Sequence, residues 1–208
     1  DIQQNQFGKT INSNYNIESD SKTFLNNIYF SLKYKERSKW INRIKTLKKN
    51  NPFKYLIPPN NKINTQLSIN SINDYLIKNK NNYHISTGVG NHQMMTYQFI
   101  DGQKPKKIHS SGSLGVMGAG LPYSIGIQIA NPNSLVIDID GDSSFMMTMS
   151  DLKTIKEYNL PIKIAIMNDS RQMMVNIWEE LFFEKRYTAT INNNNPDFTS
   201  LAESFGIK

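Results

Sequence analysis

From residue 83 onward, short apolar runs closed by small or polar residues alternate with longer stretches of helical periodicity. The runs at 83–87, 107–109, 135–140 and 162–167 carry Ile, Val, Leu or Tyr between Gly, Ser, Asn or Asp boundaries, a pattern that predicts strands. Apolar residues at helical spacing over 92–99, 116–130, 149–158 and 172–183 predict helices. Strands interleaved with helices in this way are parallel, because a parallel neighbour is reached only through a crossover connection. The expected fold class is therefore α/β, a doubly wound parallel sheet with helices on both faces.

The first 82 residues have another texture. Asn, Lys, Ser and Ile prevail, and glycine occurs only at Gly8. Leu32, Trp40, Ile41, Ile44 and Leu47 predict a helix over 31–49, halted at Asn51-Pro52. Pro58-Pro59 and the Asn-rich run after them read as a connector. Ile69, Ile72, Tyr75, Leu76 and Ile77 then predict a second helix leading into the sheet. Residues 1–82 are expected to be a connector and the tail of a preceding domain. Residues 83–208 are expected to carry the chemistry, cut short where a further strand is due.

Composition narrows the function classes. A chain of 208 residues that is 38% hydrophobic can bury one ordinary core and a peripheral segment. Its longest apolar stretches fall far short of the roughly 20 residues of a membrane helix, and the polar start at 1–9 lacks a secretory pattern. Without cysteine there are no disulfides or thiolate metal sites. The formal charge of +7 is concentrated: ten Lys and Arg lie between Lys33 and Lys62 against Glu36 alone, a local +9 that leaves −2 elsewhere. Such a stretch reads as a solvated helix face, so neither nucleic acid nor a membrane is an expected partner.

In open parallel sheets ligands bind beyond the carboxyl ends of the strands, and the four turns there are unusual. They read Gly88-Val89-Gly90-Asn91-His92, 110–115 with Gly112 and Gly115, Gly141-Asp142-Ser143-Ser144, and Asn168-Asp169-Ser170-Arg171. Glycines admit close approach of a backbone to a ligand, and amides at helix starts can cradle phosphate. Asp142 with the Asn168-Asp169 pair adds hard oxygen donors suited to Mg²⁺, which combines one or two protein ligands with phosphate oxygens and water. Zinc is disfavoured, since His84, His92 and His109 are scattered. Taken singly, Asp142 and Asn168 would read as helix caps.

Spacing lifts the pair above that reading. Gly141-Asp142-Ser143 precedes Asn168-Asp169 with 24 residues between, and this resembles the thiamin-diphosphate motif, a Gly-Asp-Gly followed by Asn-Asn. Ser143 stands where the family has glycine, and Asp169 where it has its metal-binding asparagine. The extra charge of Asp169 is compatible with tighter metal binding or with poorer accommodation of a diphosphate. Within these enzymes, 63–208 resembles the catalytic subunit of acetolactate synthase. The matching stretches are 86–94, 112–122, 138–142 and 174–178, the last ending in Trp178.

The resemblance implies a thiamin-diphosphate-binding fold and assigns roles by position. Gly90, Asn91, His92, Gly115, Gly141, Ser143, Ser144, Gln172 and Met173 would contact the cofactor. Met117 would be the apolar wedge beneath it. Asp142, Asp169 and the Arg171 carbonyl would hold Mg²⁺, and Met174 with Trp178 would line the substrate pocket. Core packing is the plainer reading of Met117, and a core or interface aromatic that of Trp178.

The implied reaction decarboxylates pyruvate and joins the remaining two carbons to a second 2-ketoacid, pyruvate or 2-ketobutyrate, in branched-chain amino-acid biosynthesis. The resemblance further implies FAD in the full-length enzyme, a homodimer or higher oligomer, and room for a regulatory subunit. It places the glutamate that activates the cofactor in an amino-terminal domain of the partner subunit. Nothing in these residues matches it, so the isolated chain is expected to be inactive, and Glu157, Glu179, Glu180 and Glu184 are expected on the surface. A plastid or mitochondrial location is expected in a eukaryote, cytoplasmic otherwise. Two alternatives stay open: another thiamin-dependent 2-ketoacid decarboxylase or oxidase, and a cofactor-binding remnant without catalysis.

Overall fold

In the computed structural model, which describes residues 1–59, 62–79, 82–101 and 107–208, the four apolar runs become β1 (Tyr83–Thr87), β2 (Ile108–Ser110), β3 (Leu135–Gly141) and β4 (Lys163–Met167). All are parallel, in the order β2-β1-β3-β4, with Ile85 facing Ile108 on one side and Ile137 on the other. From β1 the chain steps outward to β2, then returns past β1 to β3 and moves outward the other way. The strand order therefore reverses between β1 and β3, and a crevice opens there at their carboxyl ends.

The chain divides into two compact units, Asp1–Pro52 and Phe53–Lys208. The first holds a 3-10 turn at Gln4–Gln6 and helices α1 (Ser21–Tyr29) and α2 (Ser38–Asn50), none with a buried residue. Helix α1, unanticipated, starts at Asp20, whose carboxylate accepts from the Lys22 and Thr23 amides. Helix α2 begins at Ser38 rather than 31, leaving Leu32 outside its apolar stripe.

The second unit begins well before residue 83. Helix α3 (Thr65–Asn79) inserts Ile69 and Leu76 into the core beside Ile85, Ile137 and Ile139, so by packing it belongs with the sheet. The connector expected after Pro59 falls at 60–61, outside the described residues. Helices α3 and α4 (Asn91–Phe99) cover this face. On the opposite face Val136 meets Leu121 of α5 (Gly120–Ala130), Phe145 of α6 (Asp142–Met146), and Leu152 and Ile155 of α7 (Leu152–Glu157). Two helices follow β4, α8 (Met173–Phe182) and α9 (Phe198–Ser204). Among the described residues no helix is long and apolar enough to cross a membrane.

Two departures have local causes. Helix α5 starts four residues later than the apolar spacing implies, because Gly115 and Gly118 adopt φ of 66° and 78°, outside the helical region. Pro122 falls in its first turn, where a missing amide is harmless. The segment 149–158 tightens into a 3-10 turn at Met149–Asp151 before α7. After α9, Phe205 and Ile207 pack on the second core.

Strand β3 also buries two carboxyls on one face. Asp138 and Asp140 are both wholly inaccessible, and alternation in a strand places them side by side. Ser86 Oγ donates to Asp138 Oδ1 at 2.9 Å, while an outer oxygen of each has no hydrogen-bond partner. Burial, reinforced by the charge of Asp140, pushes the Asp138 carboxyl well above the usual carboxylate range. The native state thus keeps a proton that the unfolded chain releases, and stability falls as pH rises from the unfolded value near 4 toward the raised one. In denaturant titrations across pH 5–7, Asp138→Asn should remove up to ~1.4 kcal/mol per pH unit from the slope of stability against pH; an unchanged slope would show that Asp138 is ionised when buried.

Candidate cofactor site

The crevice between β1 and β3 widens into a cleft of about 700 Å³, including its open mouth. Each wall comes from the turn after a strand. Beyond β1 stand Gly90, Asn91 and His92; beyond β3, Gly141, Asp142, Ser143 and Ser144; beyond β4, Asp169, Arg171 and Gln172, followed by Met173 and Met174 at the start of α8. Gly115 and Met117 close the remaining side. All the residues expected to contact a cofactor are therefore brought to one cleft. Thr65, Val89, Met167 and Val175 line it too, without having been anticipated.

Trp178 stands outside. It lies one turn beyond Met174, is 58% exposed, and packs against Phe182 at 5.3 Å between ring centroids.

The floor explains two glycines. The His92 ring is buried, with Nε2 3.3 Å from Asp140 Oδ1 but off the line of a hydrogen bond. A Cβ at Gly141 would come within 2.8 Å of this ring, and one at Gly90 within 2.9 Å. These glycines thus make room for an imidazole as well as for a ligand. The loop of Met117 is pinned similarly: Gly115 and Gly118 bend the backbone on either side of it. The Gly118 amide donates to Ser144 Oγ at 2.9 Å, and Thr148 Oγ1 donates to the Gly118 carbonyl at 2.8 Å. Ser144 therefore lines the cleft with its hydroxyl engaged by the neighbouring loop.

Asp142 and Asp169 are the acidic groups of the cleft. Asp142 is buried, whereas Asp169 sits at the mouth, exposed yet hemmed by the walls. Desolvation first, and the charge of Asp142 second, raise the Asp169 carboxyl above its ordinary range. The Arg171 amide donates to Asp169 Oδ1 at 3.1 Å, but the Arg171 guanidinium turns to Asn176 Oδ1 at 3.2 Å and leaves the pair uncompensated. Among the described residues no three His, Cys, Asp or Glu side chains form a metal cage. Two carboxylates with free coordination positions suit a hard divalent cation that takes its other ligands from phosphate and water.

Asn168 is exposed and does not line the cleft; its Oδ1 accepts from Asn195 Nδ2 at 2.9 Å and from the Ser170 amide at 3.2 Å. Sequence reasoning missed Asn192 and Asn195, whose amides reach Asp142, because they sit in an Asn run that looks like compositional bias. Glu179, expected on the surface, is buried: it accepts from the Thr188 amide at 2.7 Å and Thr190 Oγ1 at 2.6 Å.

Residues 88–208 match the family model of the thiamine pyrophosphate enzymes, C-terminal TPP binding domain. The chain belongs to this family. Across its full length it is 39% identical to the mitochondrial acetolactate synthase of Schizosaccharomyces pombe and to the mitochondrial acetolactate synthase catalytic subunit of Saccharomyces cerevisiae, covering 32% and 30% of those proteins. It is also 39% identical to the acetolactate synthase large subunit of Cyanidium caldarium, of which it covers 36%. The chain thus spans about a third of the length of these relatives. Its candidate site lies on loops after parallel strands, which lets single turn residues be tested. Gly141→Ala should cost ~1–3 kcal/mol of stability through the clash with His92, while Gly112→Ala, whose Cβ meets nothing within 4 Å, should change it by less than ~0.5 kcal/mol. Equal melting curves for the two variants would contradict the packing of His92 against Gly141.

Proposed function

We propose that this chain is the cofactor-binding part of an acetolactate synthase, with thiamine diphosphate and Mg²⁺ held in the cleft between β1 and β3. The observation that carries the reading is the convergence of Asp142 and Asp169 on one cleft at the strand-order reversal, opposite the Met117 loop. Asp142, Asp169 and the Arg171 carbonyl would hold the cation, and Gly90, Asn91, His92, Gly141 and Ser143 would border the diphosphate. Gln172 and Met173 would border the cofactor beside them. Met117, fixed by bends at Gly115 and Gly118, would support the cofactor from beneath. When bound, the cofactor supplies a carbon nucleophile and electron sink that no side chain offers. The chain's own part is to bind and orient, to screen the diphosphate charge and to exclude water.

Met174 borders the space left for substrate. Trp178 is assigned a part in choosing the second substrate by family resemblance alone, since it stands outside the cleft walls. The proposed reaction converts two pyruvates to 2-acetolactate and CO₂, or pyruvate and 2-ketobutyrate to 2-aceto-2-hydroxybutyrate and CO₂. Both products feed branched-chain amino acids. The relatives named catalytic or large subunits support a further, regulatory subunit and a multimeric enzyme. Two relatives named mitochondrial support an organellar location.

Product analysis on the intact protein with pyruvate, 2-ketobutyrate, Mg²⁺ and thiamine diphosphate should yield the two hydroxyacids. Acetaldehyde or acetyl phosphate as sole product would replace the synthase reading with a decarboxylase or an oxidase. By calorimetry, Asp142→Ala should weaken Mg²⁺-dependent binding of thiamine diphosphate about a hundredfold, the loss of one charged ligand at ~3 kcal/mol. Heat unaffected by Mg²⁺ or by the substitution would remove Asp142 from the site.

A further inference from the structure

The Asn192–Asn195 segment runs beside the metal motif and is fixed at both ends. Upstream, Arg171 and Ile191 form an antiparallel bridge, the Gln172 amide donates to the Thr190 carbonyl at 2.9 Å, and the Asn192 amide donates to the Ser170 carbonyl at 2.8 Å. Buried Thr190 is held in turn by Glu179 and Asn176. Downstream, Pro196 restricts the backbone, and Asp197 caps α9 by accepting from the Ser200 amide at 2.9 Å.

Within this run Asn193 and Asn194 are exposed, while Asn192 and Asn195 are partly buried toward the site. Asn195 Nδ2 donates to Asp142 Oδ2 at 2.6 Å and to Asn168 Oδ1 at 2.9 Å. Asn192 Nδ2 donates to the same Asp142 Oδ2 at 3.1 Å and also to Ser143 Oγ. One amide thus ties together the two halves of a motif 24 residues apart. Two donors engage one oxygen of Asp142, while Oδ1 accepts no hydrogen bond among the described residues.

We infer that Asn195, supported by Asn192, is a positioning residue that holds Asp142 to one-oxygen coordination and so favours Mg²⁺ over larger cations. The inference rests on the metal site proposed above. Mg²⁺ demands near-ideal octahedral geometry, which a carboxylate meets with one oxygen, whereas Ca²⁺ accepts carboxylates through both oxygens and tolerates irregular shells. Blocking Oδ2 with amide donors keeps the second mode closed. By engaging the Asn168 oxygen, the same amide leaves coordination on that turn to Asp169.

The test is titration of Mg²⁺, and separately of Ca²⁺, into the chain with saturating thiamine diphosphate, followed by calorimetry. Asn195→Ala should weaken Mg²⁺ about tenfold or more, in the range found for groups that orient metal ligands, and should weaken Ca²⁺ by less, so that the ratio of the two affinities falls. Asn192→Ala, which removes the longer bond, should shift the ratio the same way by a smaller factor and keeps the inference open to test if Asn195→Ala does not fold. Asn194→Ala should change neither. Equal losses for the two cations, or none, in a chain whose wild type binds Mg²⁺ would overturn the inference and leave the metal site standing. Failure of the wild type to bind Mg²⁺ with thiamine diphosphate would overturn both.

Discussion

Two carboxylates share one partly desolvated cleft, and a positive charge between them would relieve both their desolvation and their repulsion. Asp142 is buried at the end of β3, Asp169 stands in the turn after β4, and the raised proton affinity of Asp169 reflects its desolvation first and the charge of Asp142 second. Arg171 could have served as the counterion but reaches Asn176 instead. The amides of Asn192 and Asn195 orient Asp142 without cancelling its charge, and His92 is the smallest of the influences on Asp169. On the function proposed above, a divalent cation would supply the missing charge and take its remaining ligands from the diphosphate and water. The fold's contribution is the strand-order reversal, which brings turns distant in sequence to one edge.

Much of this was legible in the residues. The runs beginning at Tyr83 and Leu135 were bounded by turn formers and became strands nearly as drawn, since period and punctuation agree there. The Gly141-Asp142 and Asn168-Asp169 pairs could be matched by spacing because both lie directly after strands. Conformation and long-range pairing leave no such mark in the residues. Positive φ at Gly118 delays α5, although the apolar periodicity runs through it. Asn195 looked like one more Asn in a biased chain, and only its contact with Asp142 and Asn168 distinguishes it from exposed Asn194.

Helix α8 misled for another reason. Its buried side carries Asn176 and Glu179, while Val175, Trp178, Leu181 and Phe182 are exposed, inverting the usual amphipathic rule. The polar residues are inside because they hold the segment from Thr188 to Thr190 by hydrogen bonds, just ahead of the asparagines that reach Asp142. A contiguous apolar surface on a helix that borders the cleft is the kind of face that meets another surface. The same helix therefore holds the Thr188–Thr190 segment with one side and exposes apolar side chains on the other.

The central claim is that Asp142 and Asp169 jointly ligate the cation that anchors the diphosphate. It is tested most directly by crystals grown with thiamine diphosphate and Mn²⁺ in place of Mg²⁺, located by anomalous scattering. The account predicts one metal peak within direct coordination distance, about 2 Å, of an oxygen of each carboxylate, with the Asn195 amide still on Asp142 Oδ2. A peak elsewhere, or a bound cofactor whose metal touches neither carboxylate, would contradict it.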